Sequence, residues 1–130
     1  MRSVLIVEDS DSDTRQLFNL LKSSGVEEIE VASGTFSAME ALRKVVEDSA
    51  AKPDLLIVDL GLGMDSGYEI LRYWRSTPKL ATIPVIVWTS VGGKVDEEIC
   101  KHFRVNSFVN KQAGPLALQR ALAPILESHA

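Results

Sequence analysis

Five short apolar runs, rich in Val and Ile, recur along this 130-residue chain. They are Val4-Leu5-Ile6-Val7, a weaker one around Ile29-Glu30-Val31, Leu55-Leu56-Ile57-Val58, Val85-Ile86-Val87-Trp88 and Ser107-Phe108-Val109. Their separation, roughly 20–30 residues, is that of strand-helix units. β-Branched residues favour strands. A continuous apolar run is the pattern of a strand covered on both faces, as in a parallel sheet.

Segments of helical period fill the intervals. Leu17, Phe18, Leu20 and Leu21 form one stripe, with Ser12 or Asp13 as its predicted cap and Gly25 as its stop. Phe36, Met39, Leu42, Val45 and Val46 form a second. Ile70, Leu71 and Trp74 form a third, from about Ser66-Gly67 to Pro78. Val95, Ile99 and Phe103 make a fourth, with Cys100 as a small packed hydrophobe beside them. Leu116, Leu118, Leu122, Ile125 and Leu126 make a fifth, with Pro115 in its first turn. Pro124 is expected to kink or end that helix, because it removes a donor and crowds the preceding turn.

Fivefold strand-helix alternation predicts a single α/β domain over residues 1–130, a three-layer sandwich with helices on both faces of a parallel sheet. Right-handed crossovers make the flavodoxin-like order 2-1-3-4-5 the leading topology. In that order the first and third strands are neighbours, and their C-terminal ends share a rim.

The residues that end the strands are polar. The first run ends in Glu8-Asp9, the third in Asp59, the fourth in Thr89-Ser90 and the fifth near Asn110-Lys111. Taken singly, these are caps, turn residues or surface charges. Taken together, they bring three carboxylates, a hydroxyl and an ammonium to one edge. Clustered carboxylates repel one another. A hard divalent cation relieves that repulsion, and oxygen-only ligands suit Mg2+. A carboxylate there can act as a nucleophile toward a phosphoryl group, with Thr89 and Lys111 as donors to its oxygens.

The whole pattern, from Ser3 to about Glu127, resembles the receiver domain of bacterial two-component response regulators. The resemblance implies that Asp59 takes the phosphoryl group. It implies Asp9 as a direct Mg2+ ligand, Glu8 acting largely through water, and the Gly61 backbone carbonyl as the third protein-ligand position. Thr89 matches the switch hydroxyl, Lys111 the invariant ammonium and Phe108 the switch aromatic. The implied partners are a histidine kinase or histidine phosphotransfer protein upstream and a protein target downstream. Output is implied through the fourth helix, fifth strand and fifth helix, a face that includes Lys94, Lys101, His102 and Arg104 and that also suits a homodimer. The resemblance also implies a domain that catalyses its own phosphorylation and dephosphorylation and is otherwise not an enzyme. Only Glu127-Ser128-His129-Ala130 follow the fifth helix, so no output domain is expected within this sequence: the expectation is a single-domain regulator, with a receiver cut from a longer protein as the alternative.

Several positions depart from the family pattern. The loop Leu60-Gly61-Leu62-Gly63-Met64-Asp65-Ser66-Gly67 lacks the usual Met-Pro pair, carries two extra glycines and has Ser66 where Asp is common, although Gly67 is retained. The glycines predict a mobile loop. Gln112 replaces a proline usually joined through a cis peptide, a geometry that costs a non-prolyl bond about 2.5–4 kcal/mol. Lys111 is therefore expected to approach along a different backbone path. Gly61 and Val91 occupy the two positions that affect phosphate lifetime in the family, and neither has a polar side chain to orient water, so the resemblance implies slow self-dephosphorylation.

Three rivals are testable. Asp9-Ser10-Asp11 imitates the Asp-x-Asp of haloacid-dehalogenase-like phosphatases, which would make Asp9 the nucleophile, but no later acidic pair or cap segment accompanies it. A degenerate receiver would act only as a binding module. A flavin-binding flavodoxin would need a phosphate loop free of repelling carboxylates, unlike Glu8-Asp9 and Asp11. The net charge of -4 argues against direct nucleic-acid binding by bulk electrostatics. The apolar runs are too short to span a bilayer. The N-terminus lacks a secretory signal pattern, and a lone cysteine forms no internal disulfide, so a cytoplasmic location is expected.

Overall fold

The computed structural model describes residues 2–63 and 65–128. Met64 in the glycine-rich loop and the tail residues His129 and Ala130 lie outside them. Five parallel strands form one sheet: β1 (Ser3–Val7), β2 (Glu28–Ala32), β3 (Leu55–Val58), β4 (Val85–Thr89) and β5 (Ser107–Asn110). Their spatial order is β2-β1-β3-β4-β5, the topology expected from the alternation. Every residue of β3 and β4 is buried, whereas edge strand β2 exposes Glu28, Glu30 and Val31. This difference explains why its run is the weakest in the sequence: an edge strand has less apolar cover to meet.

The two-residue side-chain period divides the central strands between two cores. Leu5, Val7, Leu56, Val58, Val85 and Val87 face α2 (Thr35–Val46), α3 (Gly67–Ser76) and α4 (Lys94–Phe103). Val4, Ile6, Leu55, Ile57, Ile86 and Trp88 face α1 (Asp11–Ser23) and α5 (Pro115–Ser128). Buried Trp74 keeps its indole N–H satisfied by donating to the Ile83 carbonyl at 3.0 Å.

Local details correct several expectations. The cap of α1 is Ser10, whose Oγ accepts from the Asp13 N–H at 3.3 Å; Ser12 and Asp13 lie inside the helix. Gly25 does follow the helix end, with φ of 90°. Helix α2 buries Thr35, Ala38, Leu42 and Val45, a line that leaves Phe36 turned about 100° away and 80% exposed. In α4 the buried line runs through Cys100 to half-buried Phe103, and Val95 and Ile99 are exposed beside it. Burial, reinforced by the charges of Asp96 and Glu97, pushes the Cys100 thiol up to about 11. Leu116 is also exposed, at the start of α5.

Pro124 does not end α5, which continues to Ser128. Pro124 and Arg120, four residues before it, both lie on the exposed side of the helix, where a missing helical donor faces solvent rather than the core.

Candidate functional site

Register carries the predicted residues to one rim. Val7 pairs with Val58 across β1 and β3, so Glu8 and Asp59 are the next residues out. Their backbones extend the ladder: the Asp59 N–H donates to the Val7 carbonyl and the Glu8 N–H to the Ala32 carbonyl, each at 3.0 Å. Glu8 is 2% exposed and Asp59 5%, while Asp9 reaches solvent. One oxygen from each of Glu8, Asp9 and Asp59 falls within 4.8 Å of the others.

Buried carboxylates need partners. Lys111 supplies one. Its Nζ donates to Glu8 Oε2 at 2.8 Å, Asp13 Oδ2 at 2.7 Å and Asp59 Oδ2 at 3.0 Å. It also stands 4.8 Å from the centroid of the Trp88 ring, a favourable cation–π position. Burial alone would depress the ammonium's pKa. The hydrogen bonds it donates to Asp13, Glu8 and Asp59 overcome that and hold it above its ordinary value. Burial pushes the Glu8 carboxyl up to about 7, with the neighbouring Asp59 charge adding to the shift and Lys111 opposing it.

The second oxygens are held by the backbone. Glu8 Oε1 accepts from the Ser10 N–H at 3.2 Å, and Asp59 Oδ1 from the Gly61 N–H at 3.1 Å. After Gly61 the chain forms a two-residue antiparallel hairpin, Gly61–Leu62 against Asp65–Ser66. Ser66 caps α3, accepting from the Tyr68 N–H at 3.2 Å. Gly67 has a steric reason to be glycine. A Cβ there would lie 2.3 Å from the Asp59 carbonyl oxygen.

On the other side stands Thr89, fully buried at the end of β4. Its Oγ1 accepts from the Val91 N–H at 3.2 Å, leaving the hydroxyl proton free for another acceptor. Phe108 does not reach the rim. It pairs with Val87, two residues before Thr89 on the same sheet face, and packs half-buried against the core on the α4 side.

Lys111 does take a backbone path of its own. No cis peptide occurs among the described residues, so the Lys111–Gln112 bond is trans. Lys111 opens a 3-10 turn, Lys111–Ala113, in which Asn110 Oδ1 accepts from the Gln112 N–H at 2.8 Å. The ammonium still reaches Asp59.

Two members of the site were not singled out from sequence. Asp13 reads as a candidate cap of the first helix, and nothing in its spacing points it at Lys111. Trp88 reads as core, yet its register partner is Val109, two residues before Lys111, which puts ring and lysine on one face.

The donor set suits a hard cation: three carboxylates meet at one rim, where Glu8 and Asp59 already share an ammonium between them. Among the described residues no helix is long and apolar enough to cross a membrane.

Residues 4–123 match the family model of the response regulator receiver domain. The polar-differentiation response regulator DivK of Brucella ovis is 32% identical over 124 residues, covering 95% of this chain and 93% of that protein. The Mn2+-bound form of response regulator Rcp1 superposes with a TM-score of 0.78 at 26% identity, covering 98% of this chain and 91% of Rcp1. The phosphorylated cyanobacterial phytochrome response regulator RcpA gives a TM-score of 0.78 at 28% identity, covering 94% of this chain and 87% of RcpA.

Proposed function

This chain belongs to the response regulator receiver family of two-component signalling, and from that premise we propose that Asp59 is its phosphoacceptor. The observation that carries the proposal is the seating of Asp59. One oxygen is fixed by the Gly61 N–H and the other by the Lys111 ammonium, at the end of the strand next to Glu8 and Asp9. The likeness to a receiver solved in phosphorylated form supports it.

In the reaction an Asp59 carboxylate oxygen bonds to phosphorus as the donor's bond to phosphorus breaks. With a phosphohistidine donor, the imidazole nitrogen leaves with the electron pair. Lys111 and the free proton of the Thr89 hydroxyl are the donors for the phosphoryl oxygens. Glu8, Asp9 and Asp59, with the Gly61 carbonyl, are the residues that would hold Mg2+, which supplies charge neutralisation for the incoming phosphoryl group. The Mn2+-bound relative supports a divalent ion here. Val91 flanks Gly61, with a methyl 3.0 Å from where a Gly61 Cβ would stand. Neither residue offers a polar side chain to orient water, which supports slow loss of the phosphoryl group.

The readout we propose runs from Thr89 to the α4, β5 and α5 surface. Phe108 lies on the Thr89 face of the sheet and packs on the same side as α4. A histidine kinase or phosphotransfer protein is the proposed donor, and a protein partner or second copy the proposed reader. The match over residues 4–123 supports a single receiver domain across the chain. The phosphatase and flavodoxin alternatives do not fit that match. The burial of Glu8 and Asp59 around Lys111, with Thr89 buried on the opposite flank, speaks against a receiver that has lost its chemistry.

The test is to incubate the protein with acetyl phosphate and MgCl2, then map acid-labile phosphate by mass spectrometry. One phosphoryl group on Asp59, absent in Asp59→Asn, is expected. Failure to incorporate phosphate, or incorporation that survives Asp59→Asn, overturns the assignment.

A further inference from the structure

Lys111 has three ammonium protons and three carboxylate acceptors, so its donor capacity is filled. Two acceptors have other work. Glu8 and Asp59 belong to the carboxylate set that would hold a divalent ion, and Asp59 loses charge when it carries a phosphoryl group. The third acceptor, Asp13, lies outside that set and makes the shortest contact, 2.7 Å. It is fixed independently of the sheet, because Ser10 Oγ caps α1 through the Asp13 N–H.

The lysine has reason to need such an anchor. Its four-carbon stem is flexible, and it leaves β5 through a trans peptide into a 3-10 turn. The Trp88 ring lies to one side of the ammonium and is indifferent to its exact direction. A charged hydrogen bond from a helix does set direction.

We propose that Asp13 is a positioning residue for Lys111. It holds the ammonium beside Asp59 when Glu8 and Asp59 are otherwise engaged, so that the remaining protons meet the phosphoryl oxygens. The proposal rests on the reading that Asp59 is the phosphoacceptor.

The test is a double-mutant cycle on the rate of phosphate incorporation from acetyl phosphate with MgCl2. Loss of one charged hydrogen bond predicts that Asp13→Asn slows incorporation roughly tenfold. Asp13→Glu should recover most of the rate. In a Lys111→Met background, Asp13→Asn should change the rate by less than about twofold, since the residue then has nothing to position. A merely structural role would slow both backgrounds alike, and that result overturns the proposal, as does a wild-type rate in Asp13→Asn. A second readout uses no phosphodonor. In metal-free protein carrying nitrogen-15 at lysine Nζ, a slowly exchanging Lys111 ammonium signal should be lost in Asp13→Asn. Its persistence also overturns the proposal. A wild-type protein that takes up no phosphate at all defeats the phosphoacceptor reading instead, which separates the two failures.

Discussion

The two flanks of Asp59 are built on different terms. On the α1 and α5 side, Lys111 is only 11% exposed at its side chain and is tied to three carboxylates above an aromatic ring. On the α4 side, Thr89 is buried yet accepts a single local bond from Val91. The helix beyond it buries only Cys100 fully and leaves Val95 and Ile99 in solvent. One flank is fixed before any phosphoryl group arrives. The other has few contacts to lose, which is what an element that must shift between states requires. The readout proposed above asks for both, a stiff side to receive and a loose side to report.

Removing the fixed flank's cation is the most severe way to break that contrast. Lys111→Met leaves Glu8 and Asp59 buried side by side with no positive partner among the described residues. Breaking a buried ion pair from one end costs about 3–5 kcal/mol, and the raised Glu8 carboxyl brings the expected loss toward the lower end by taking up a proton. Urea unfolding in EDTA should show a loss of about 3 kcal/mol. Addition of millimolar MgCl2 should restore part of it. Wild-type stability in EDTA would mean that the flank is not held by charge.

The segment that leads from Asp59 into α3 has a tight point, and Gly67→Ala tests it. The added methyl meets the Asp59 carbonyl oxygen at 2.3 Å, a contact with backbone that cannot step aside. A loss of about 2–3 kcal/mol in urea unfolding is expected, as for overpacking of a tight site. If the loss is below about 0.5 kcal/mol, the loop from Gly61 to Ser66 yields more readily than its hairpin suggests.

Much of this was legible in the chain. The buried runs of β1, β3 and β4 announce a parallel sheet because both faces of those strands are apolar, and the polar residue that ends each marks the rim. Register does the rest for Glu8, Asp59, Thr89 and Lys111. Helix faces were harder. Phe36, Val95, Ile99 and Leu116 share the composition of core residues, but only the docking angle of each helix decides which line is covered, and that angle is a tertiary quantity. Asp13 was read as a cap because first-turn acids usually serve that end. Its partner lies 98 residues away, a pairing that local pattern does not encode. The Lys111–Gln112 bond was legible in part: the missing proline predicted a changed path, and the Asn110-capped turn that replaces it came only from the fold.

The subtlest test concerns what keeps α4 in place at all. Tyr68, at the start of α3, donates its hydroxyl proton to Asp96 in the first turn of α4. Asp96 uses its other oxygen to accept from the Gly93 N–H at 3.2 Å, so the same carboxylate caps the helix and ties it across to the segment that follows Asp59. Burial and the Asp96 charge hold the Tyr68 phenol well above its ordinary pKa, so it stays a donor throughout the neutral range. Tyr68→Phe keeps the ring and removes only this link. The global cost should be about 0.5–1 kcal/mol, as for a partly exposed hydrogen bond. The local effect should be larger relative to the rest of the molecule. Amide exchange across Lys94–Phe103 is expected to speed up about threefold to fivefold, while α1 and the Asp13–Lys111 flank remain protected. Uniform acceleration through both flanks would show that they open as one unit, and the division of the site into a stiff and a loose side would fall.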